Sequence, residues 1–124
     1  MRILLVEDNE ANRDMLGRRL ARRGYAVAFA ADGEAGIASV LADKPDLVLM
    51  DIDLPKVSGW DATRAIRGHY ALEELPIIAL TAHAMALDRQ KSFEAGCNEY
   101  EAKPINFASL VEKIELLTAR RGAA

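Results

Sequence analysis

Short apolar segments alternate along the whole chain with longer segments of helical periodicity. Almost purely aliphatic or uncharged runs of four residues are typical of strands buried on both faces of a parallel sheet. Such runs cover residues 3–6, 26–29, 47–50 and 77–80, and a weaker fifth strand is predicted over 99–102. Strands that alternate with helices indicate an α/β fold, with a parallel sheet between two layers of helices.

Helix start and stop signals separate these strands. Asp32, Ser58 and Asn106 are suited to begin helices, and Gly24 and Gly96 to end them. The predicted helices run over about 10–23, from Asp32 to about 41, from Ser58 to about Tyr70, over about 87–95, and from Asn106 onwards. We expect the first helix to carry Ala11, Met15, Leu16 and Leu20 on one face, and the last helix to turn Phe107, Leu110, Val111, Ile114 and Leu117 inward.

Composition narrows the class of protein. Hydrophobic residues make up 51% of the chain and charged ones 28%, which is the mix of an ordinary soluble domain. Because a length of 124 residues suits a single domain, we expect residues 1–124 to be one domain with no output domain. The net charge of −3 and the absence of a long basic run argue against nucleic-acid binding, and no apolar run suits a membrane span. The densest basic cluster is interpreted as a solvated helix face: Arg13, Arg18, Arg19, Arg22 and Arg23.

Cysteine content bears on location. Cys97 is the only cysteine, so an internal disulfide is impossible, and we interpret Cys97 as a buried, inert thiol. This usage is typical of a reducing compartment and predicts a cytoplasmic protein.

Polar residues follow four of the five predicted strands. Glu7 and Asp8 follow the first, Asp51 the third, Thr81 the fourth and Lys103 the fifth. Because ligands of an open parallel sheet bind outside the carboxyl ends of its strands, these side chains are the candidate site. Crowded carboxylates repel one another unless a cation joins them, and a set of oxygen ligands without thiolates or paired imidazoles favours Mg²⁺ over zinc.

The same residues suit phosphoryl transfer. Carboxylates attack phosphorus to give aspartyl phosphates, and the transferring group carries negative charge on its equatorial oxygens. A metal held by Asp8 and Asp51, the Lys103 ammonium and the Thr81 hydroxyl would each meet one of those oxygens.

The stretches ILLVEDNEANR, DLVLMDIDLPKVSGW, PIIALTAHAM and YEAKPI resemble the response regulator receiver family over essentially the whole chain. The resemblance implies a flavodoxin-like (CheY-like) sheet of strand order 2-1-3-4-5. It implies that Asp51 is the phosphoacceptor, and that Asp8, Glu7, Asp51 and the backbone carbonyl of Asp53 hold Mg²⁺. Many members have two aspartates where this chain has Glu7 and Asp8. Because the Glu7 side chain is longer, we expect it to bind the metal through a water molecule.

The resemblance also implies a switch and its partners. Thr81 would move toward the phosphoryl oxygens, Lys103 would pair with them, Tyr100 would be the switch aromatic, and the bond before Pro104 would be cis. The phosphodonor would be a histidine kinase or a histidine phosphotransfer protein that docks near Asn12, Met15, Pro104 and Ile105, and the output would be a downstream protein. The protein would catalyse only its own phosphorylation and dephosphorylation. Stand-alone cell-cycle regulators and the receivers of hybrid kinases are the most similar members.

Two alternatives and one hypothesis remain open. The run Asp51-Ile52-Asp53 also resembles the nucleophile motif of haloacid-dehalogenase-type phosphatases, which would turn over phosphate esters repeatedly. The fold could instead be a binding module that works without phosphorylation. We further hypothesise that His83 and the Asp53 side chain control access of the hydrolysing water.

Overall fold

A computed structural model describes residues 1–82 and 85–122, with side chains through residue 119. Its strands are β1 (Arg2–Val6), β2 (Ala26–Ala30), β3 (Leu47–Asp51), β4 (Ile77–Thr81) and β5 (Glu99–Ala102). All neighbours are parallel and the order is β2-β1-β3-β4-β5. The predicted fold and strand order are confirmed.

Helices connect successive strands, and most of the predicted helix signals act as expected. They are α1 (Glu10–Arg22), α2 (Gly33–Ala42), α3 (Gly59–Arg67), α4 (Ala86–Ala95) and α5 (Phe107–Gly122). The side chains of Asp32, Ser58 and Asn106 each accept a backbone N–H from the first turn that follows. Gly24 and Gly96 follow α1 and α4 with positive φ angles of 94° and 111°, which glycine adopts at little cost.

The sheet separates two hydrophobic clusters. One face packs against α2 and α3 through Val40, Ala62 and Ile66. The other face packs against α1 and α5 through Leu16, Leu20, Leu110 and Ile114. The central strands β1 and β3 are buried almost throughout, as their aliphatic sequences predict. None of the described helices is both long and apolar enough to cross a bilayer.

Two details of the helices differ from the prediction. Met15 is 60% exposed and Ala11 is also exposed, so the apolar face that they were predicted to share with Leu16 and Leu20 is not buried at these two positions. The buried face is centred on Leu16 and Leu20, and Gly17 brings the helix close to the ring of Phe29. The third helix ends at Arg67 rather than near Tyr70, although the N–H groups of His69 and Tyr70 both still donate to the carbonyl of Ile66 in one further turn.

Cys97 is buried as predicted. Its thiol lies 3.8 Å from the hydroxyl of Thr63, and burial raises its pKa to about 11. A thiol that stays protonated at neutral pH is a poor nucleophile, which agrees with the inert role.

Arg67 ties the end of α3 to the entries of β4 and β5. Its guanidinium donates to the carbonyl oxygens of Gly96 at 2.7 Å and Leu75 at 2.8 Å, and to Oδ1 of Asn98 at 2.7 Å. The same Asn98 oxygen accepts the N–H of Ile77, the first residue of β4. The part-buried guanidinium of Arg67 therefore satisfies acceptors from separate segments of the chain. These segments lie at the end of the sheet opposite the candidate site.

We predict that Arg67→Ala lowers the free energy of unfolding by about 3 kcal/mol, because it leaves part-buried acceptors without their charged donor. Arg64→Ala is the matched control, since Arg64 makes an exposed ion pair with Asp61 in the same helix and should cost less than about 1 kcal/mol. Urea denaturation of the two variants measures the difference. Equal losses would contradict the role given to Arg67.

Candidate functional site

Four strands bring the predicted site residues to one edge of the sheet. Asp51 ends β3 and Thr81 ends the neighbouring β4. Glu7 directly follows β1, which pairs with β3, and Lys103 directly follows β5, which pairs with β4. The parallel register thus places residues from distant parts of the sequence side by side.

Asp51 is buried and held from two sides. The residue is 2% exposed, and its Oδ2 accepts a hydrogen bond from Nζ of Lys103 at 2.9 Å. Its Oδ1 accepts the backbone N–H of Asp53 at 2.9 Å. The Lys103 ammonium also lies 4.0 Å from Oε1 of Glu7, so it serves two carboxylates at once.

Glu7, Asp8 and Asp51 form an acidic cluster. Each offers a carboxylate oxygen within 4.8 Å of the others. Glu7 is 4% exposed, and its Oε2 is the buried side-chain oxygen that lacks a hydrogen-bond partner in the described part of the chain. A buried oxygen without a donor, beside two further carboxylates, suits a hard divalent cation such as Mg²⁺.

Burial and the neighbouring charged groups change the pKa values of Glu7, Asp51 and Lys103. Burial and the neighbouring Asp51 raise the pKa of Glu7 to about 7. Burial alone would raise the pKa of Asp51, but hydrogen bonds from Glu7, Lys103 and the Asp53 N–H hold it below its usual range. Burial would lower the pKa of Lys103, and its pairing with Asp51 raises it instead. Near neutral pH the site therefore holds an ionised Asp51, a charged Lys103 and a Glu7 that readily exchanges its proton.

The predicted switch residues lie beside this cluster and toward the β5 edge. Thr81 is buried, and its carbonyl oxygen accepts the N–H of Lys103 at 2.8 Å. The ring of Tyr100 meets Phe93 edge-on at 6.1 Å, while Arg89 and Lys113 lie over it at 5.0 and 5.3 Å. The peptide bond between Lys103 and Pro104 is cis, as the resemblance implied. The switch roles themselves stay predictions.

Three supporting residues were missed from the sequence. Gly59 begins α3, and a Cβ there would overlap the carbonyl oxygen of Asp51. The Arg13 guanidinium donates to the carbonyl of Glu7 at 3.0 Å, and a hydrogen bond from Asn12 favours the charged form of Glu7. A glycine directly after the capping Ser58 was the available signal for Gly59, whereas nothing in the sequence distinguishes Arg13 from its basic neighbours.

The water-access hypothesis concerns one residue outside the described range. His83 lies in the gap at 83–84, so its place relative to the site is not described. The side chain of Asp53 is exposed, while its backbone N–H contacts Asp51. The metal-ligand role of the Asp53 carbonyl stays a prediction.

Sequence comparisons agree with this arrangement. The family model described as response regulator receiver domain matches residues 3–115. The polar-differentiation response regulator DivK of Brucella anthropi is 34% identical over 113 residues, which cover 91% of this chain and 92% of that protein. The hybrid signal transduction histidine kinase I of Dictyostelium discoideum is 40% identical over 120 residues, or 91% of this chain but 7% of the kinase. The chain also spans about half of transcriptional regulators such as CusR of Escherichia coli, at 53%.

Solved structures give the same result. The receiver domain of sensor histidine kinase PA1611 from Pseudomonas aeruginosa, with a magnesium ion in its active site cleft, is 40% identical and superposes with a TM-score of 0.87 over 95% of this chain and 97% of that one. The response regulator TrrA of Thermotoga maritima, in complex with Mg²⁺–BeF, is 34% identical with a TM-score of 0.84 over 94% and 97%. With a family match over most of its length, this chain belongs to the response regulator receiver domain family, whose members act in phosphorelay signalling.

Proposed function

We propose that residues 1–124 form a receiver domain that accepts a phosphoryl group on Asp51 and changes its binding to a protein target. The observation that supports this best is the buried, ionised Asp51, which contacts Lys103 at 2.9 Å and lies beside the Glu7–Asp8 pair. The donor would be a histidine kinase or a histidine phosphotransfer protein. No observation favours a haloacid-dehalogenase-type phosphatase or a module that works without phosphorylation.

Asp51 acts as the nucleophile in this proposal. An oxygen of its carboxylate forms a bond to phosphorus as the phosphorus–nitrogen bond of the donor's phosphohistidine breaks, and the imidazole leaves. The lowered pKa of Asp51 keeps the nucleophile ionised at neutral pH. Lys103, already in contact with this carboxylate, can follow the negative charge onto the phosphoryl oxygens. The protein would catalyse only its own phosphorylation and the later hydrolysis.

The acidic cluster would hold Mg²⁺ through Glu7, Asp8 and Asp51, with the backbone carbonyl of Asp53 as a further ligand. The bound ion would neutralise charge on the phosphoryl oxygens during transfer. The second oxygen of Glu7 is buried and lacks a hydrogen-bond partner among the described residues, which supports its use as a ligand.

The approach of the donor is supported by a cavity beside the site. A depression of about 480 Å³ reaches from Glu7 and Lys103 to Met15 and Ile105. Its lining is largely apolar, and it includes the predicted docking residues Asn12 and Pro104. Met15, another predicted docking residue, is 60% exposed, which fits a side chain that a partner covers.

The output surface would lie at the opposite side of the site, on α4, β5 and α5. Thr81 would move toward the phosphoryl oxygens and Tyr100 would follow, which would change the surface around Met85 and Leu87, two apolar residues that are largely exposed. The downstream protein would recognise this change. A cytoplasmic location stays a prediction that rests on the cysteine content.

We predict that Mg²⁺ and a small acyl phosphate add one phosphoryl group to the protein, and that Asp51→Asn prevents it because an amide is a far weaker nucleophile than a carboxylate. Intact-protein mass spectrometry measures the modification. Asp53→Asn is the control, since it removes an exposed carboxylate two residues away and should still be labelled. Labelling of Asp51→Asn equal to wild type would refute the assignment.

We predict that the affinity for Mg²⁺ rises with pH and levels off above about pH 7. Below that pH the cation must displace the proton of Glu7, whose pKa burial and Asp51 raise to about 7, whereas above it Glu7 is already charged. Calorimetric titrations in buffers of different ionisation enthalpy measure the affinity and the released proton together. Glu7→Gln should abolish proton release, and Glu10→Gln, an exposed carboxylate in α1, should not. Proton release that is unchanged in Glu7→Gln would sink this explanation.

A further inference from the structure

The β2 edge of the sheet is unusually free of protection. The strand reads Ala26-Val27-Ala28-Phe29-Ala30 and contains no charge, proline or bulge, and Phe29 is 49% exposed. Natural proteins usually protect a free strand edge with such features, because an open edge pairs with other chains. The opposite edge, β5, has the sequence Glu99-Tyr100-Glu101-Ala102 and does carry charges.

Two residues of β2 direct their backbone N–H and C=O groups away from the neighbouring strand β1, toward the open edge of the sheet. The N–H of Ala26 donates to Met1 and the carbonyl of Ala30 accepts from Glu7, so the even-numbered residues of β2 face β1. Because these groups alternate along a strand, the N–H and C=O groups of Val27 and Phe29 face outward. β1 is the one strand that pairs with β2 in the described residues.

The sequence of β2 is nearly the same read in either direction, since large residues stand on either side of a central alanine. We propose that two copies of this chain pair through β2 in antiparallel orientation, about a twofold axis at Ala28. Val27 of one copy then lies opposite Phe29 of the other, and the two residues exchange both backbone hydrogen bonds. Their side chains meet on the same face as a β-branched–aromatic pair, a favourable cross-strand contact.

The charges that flank β2 fit this register. Arg22 and Arg23 precede the strand, while Asp32 and Glu34 follow it, and all four are exposed. Antiparallel pairing places the basic end of one copy beside the acidic end of the other, twice by symmetry. A parallel arrangement would instead bring like charges together. Arg23 already pairs with Glu115 at 3.0 Å and Asp32 caps α2, so Arg22 and Glu34 are the flanking charges that favour a second copy in antiparallel orientation at this edge.

Cysteine cross-linking tests both the pairing and its register. In the proposed dimer the two Ala28 residues form a non-hydrogen-bonded pair, with Cα atoms about 4.5 Å apart, which lies within the roughly 4.4–6.8 Å that a disulfide spans. Ala28→Cys should therefore form a covalent dimer under mild oxidation. Ala26→Cys is the matched control, because it lies on the same exposed face of the same strand, but its two copies would be roughly 13 Å apart.

We expect at least about tenfold more disulfide dimer from Ala28→Cys than from Ala26→Cys, since only the former meets the geometry of the bond. The native Cys97 is buried and should not contribute. Sedimentation equilibrium of the wild type should show a dimer that Phe29→Lys abolishes, and circular dichroism of each variant checks the fold. Equal cross-linking at both positions, or a wild type that stays monomeric at millimolar concentration, would overturn the proposal. Phosphorylation of Asp51 can be measured on the same samples, so a failed dimer test leaves the proposed function intact.

Discussion

The crowding of carboxylates at the end of a buried sheet is the constraint on which the candidate site depends. Glu7 and Asp51 are both almost fully buried, and Lys103 is the cation that pairs with them in the described residues. One ammonium cannot balance the cluster formed with Asp8, and burial together with the neighbouring Asp51 raises the pKa of Glu7. A site short of positive charge favours the binding of a divalent cation. That cation and the Lys103 ammonium together then favour the binding of a negatively charged phosphoryl group.

This electrostatic conflict persists because the scaffold is rigid. β1 and β3 are fixed by packing on both faces, so the carboxylates that follow them cannot move apart without disturbing the core. Gly59 lets α3 begin directly against the backbone of Asp51, which positions the loop whose N–H from Asp53 holds the carboxylate. At the other end of the sheet, Arg67 fixes the entries of β4 and β5. The molecule thus holds like charges together through the packing of the core and through backbone contacts at Asp51 itself.

The sequence predicted the strands and the grouping of the site because these follow from local patterns, whereas the order of the strands was implied by the resemblance to the receiver family. An aliphatic run that ends in Asp51, and another that ends in Thr81, indicate parallel strands whose ends must meet. The apolar face predicted for α1 did not show that Met15 is exposed, because helical periodicity gives an apolar stripe but not the side on which the helix is packed. Arg67 and Arg13 were also missed, since their partners are brought together only by the folded chain. Local patterns therefore specify which residues reach the site edge, and tertiary contacts decide which others support them.

The strand order also separates the surfaces that the two proposals use. β2 and β5 form opposite edges of the sheet, so pairing through β2 would leave α4, β5 and α5 free for a downstream protein. Each site opens at the carboxyl end of its strands, and antiparallel pairing would turn the two sites of a dimer toward opposite ends of a continuous sheet. Two donors could then reach the two copies without meeting each other. Self-association at β2 is therefore compatible with phosphorylation of both copies, and it should change neither the charge nor the geometry around Asp51.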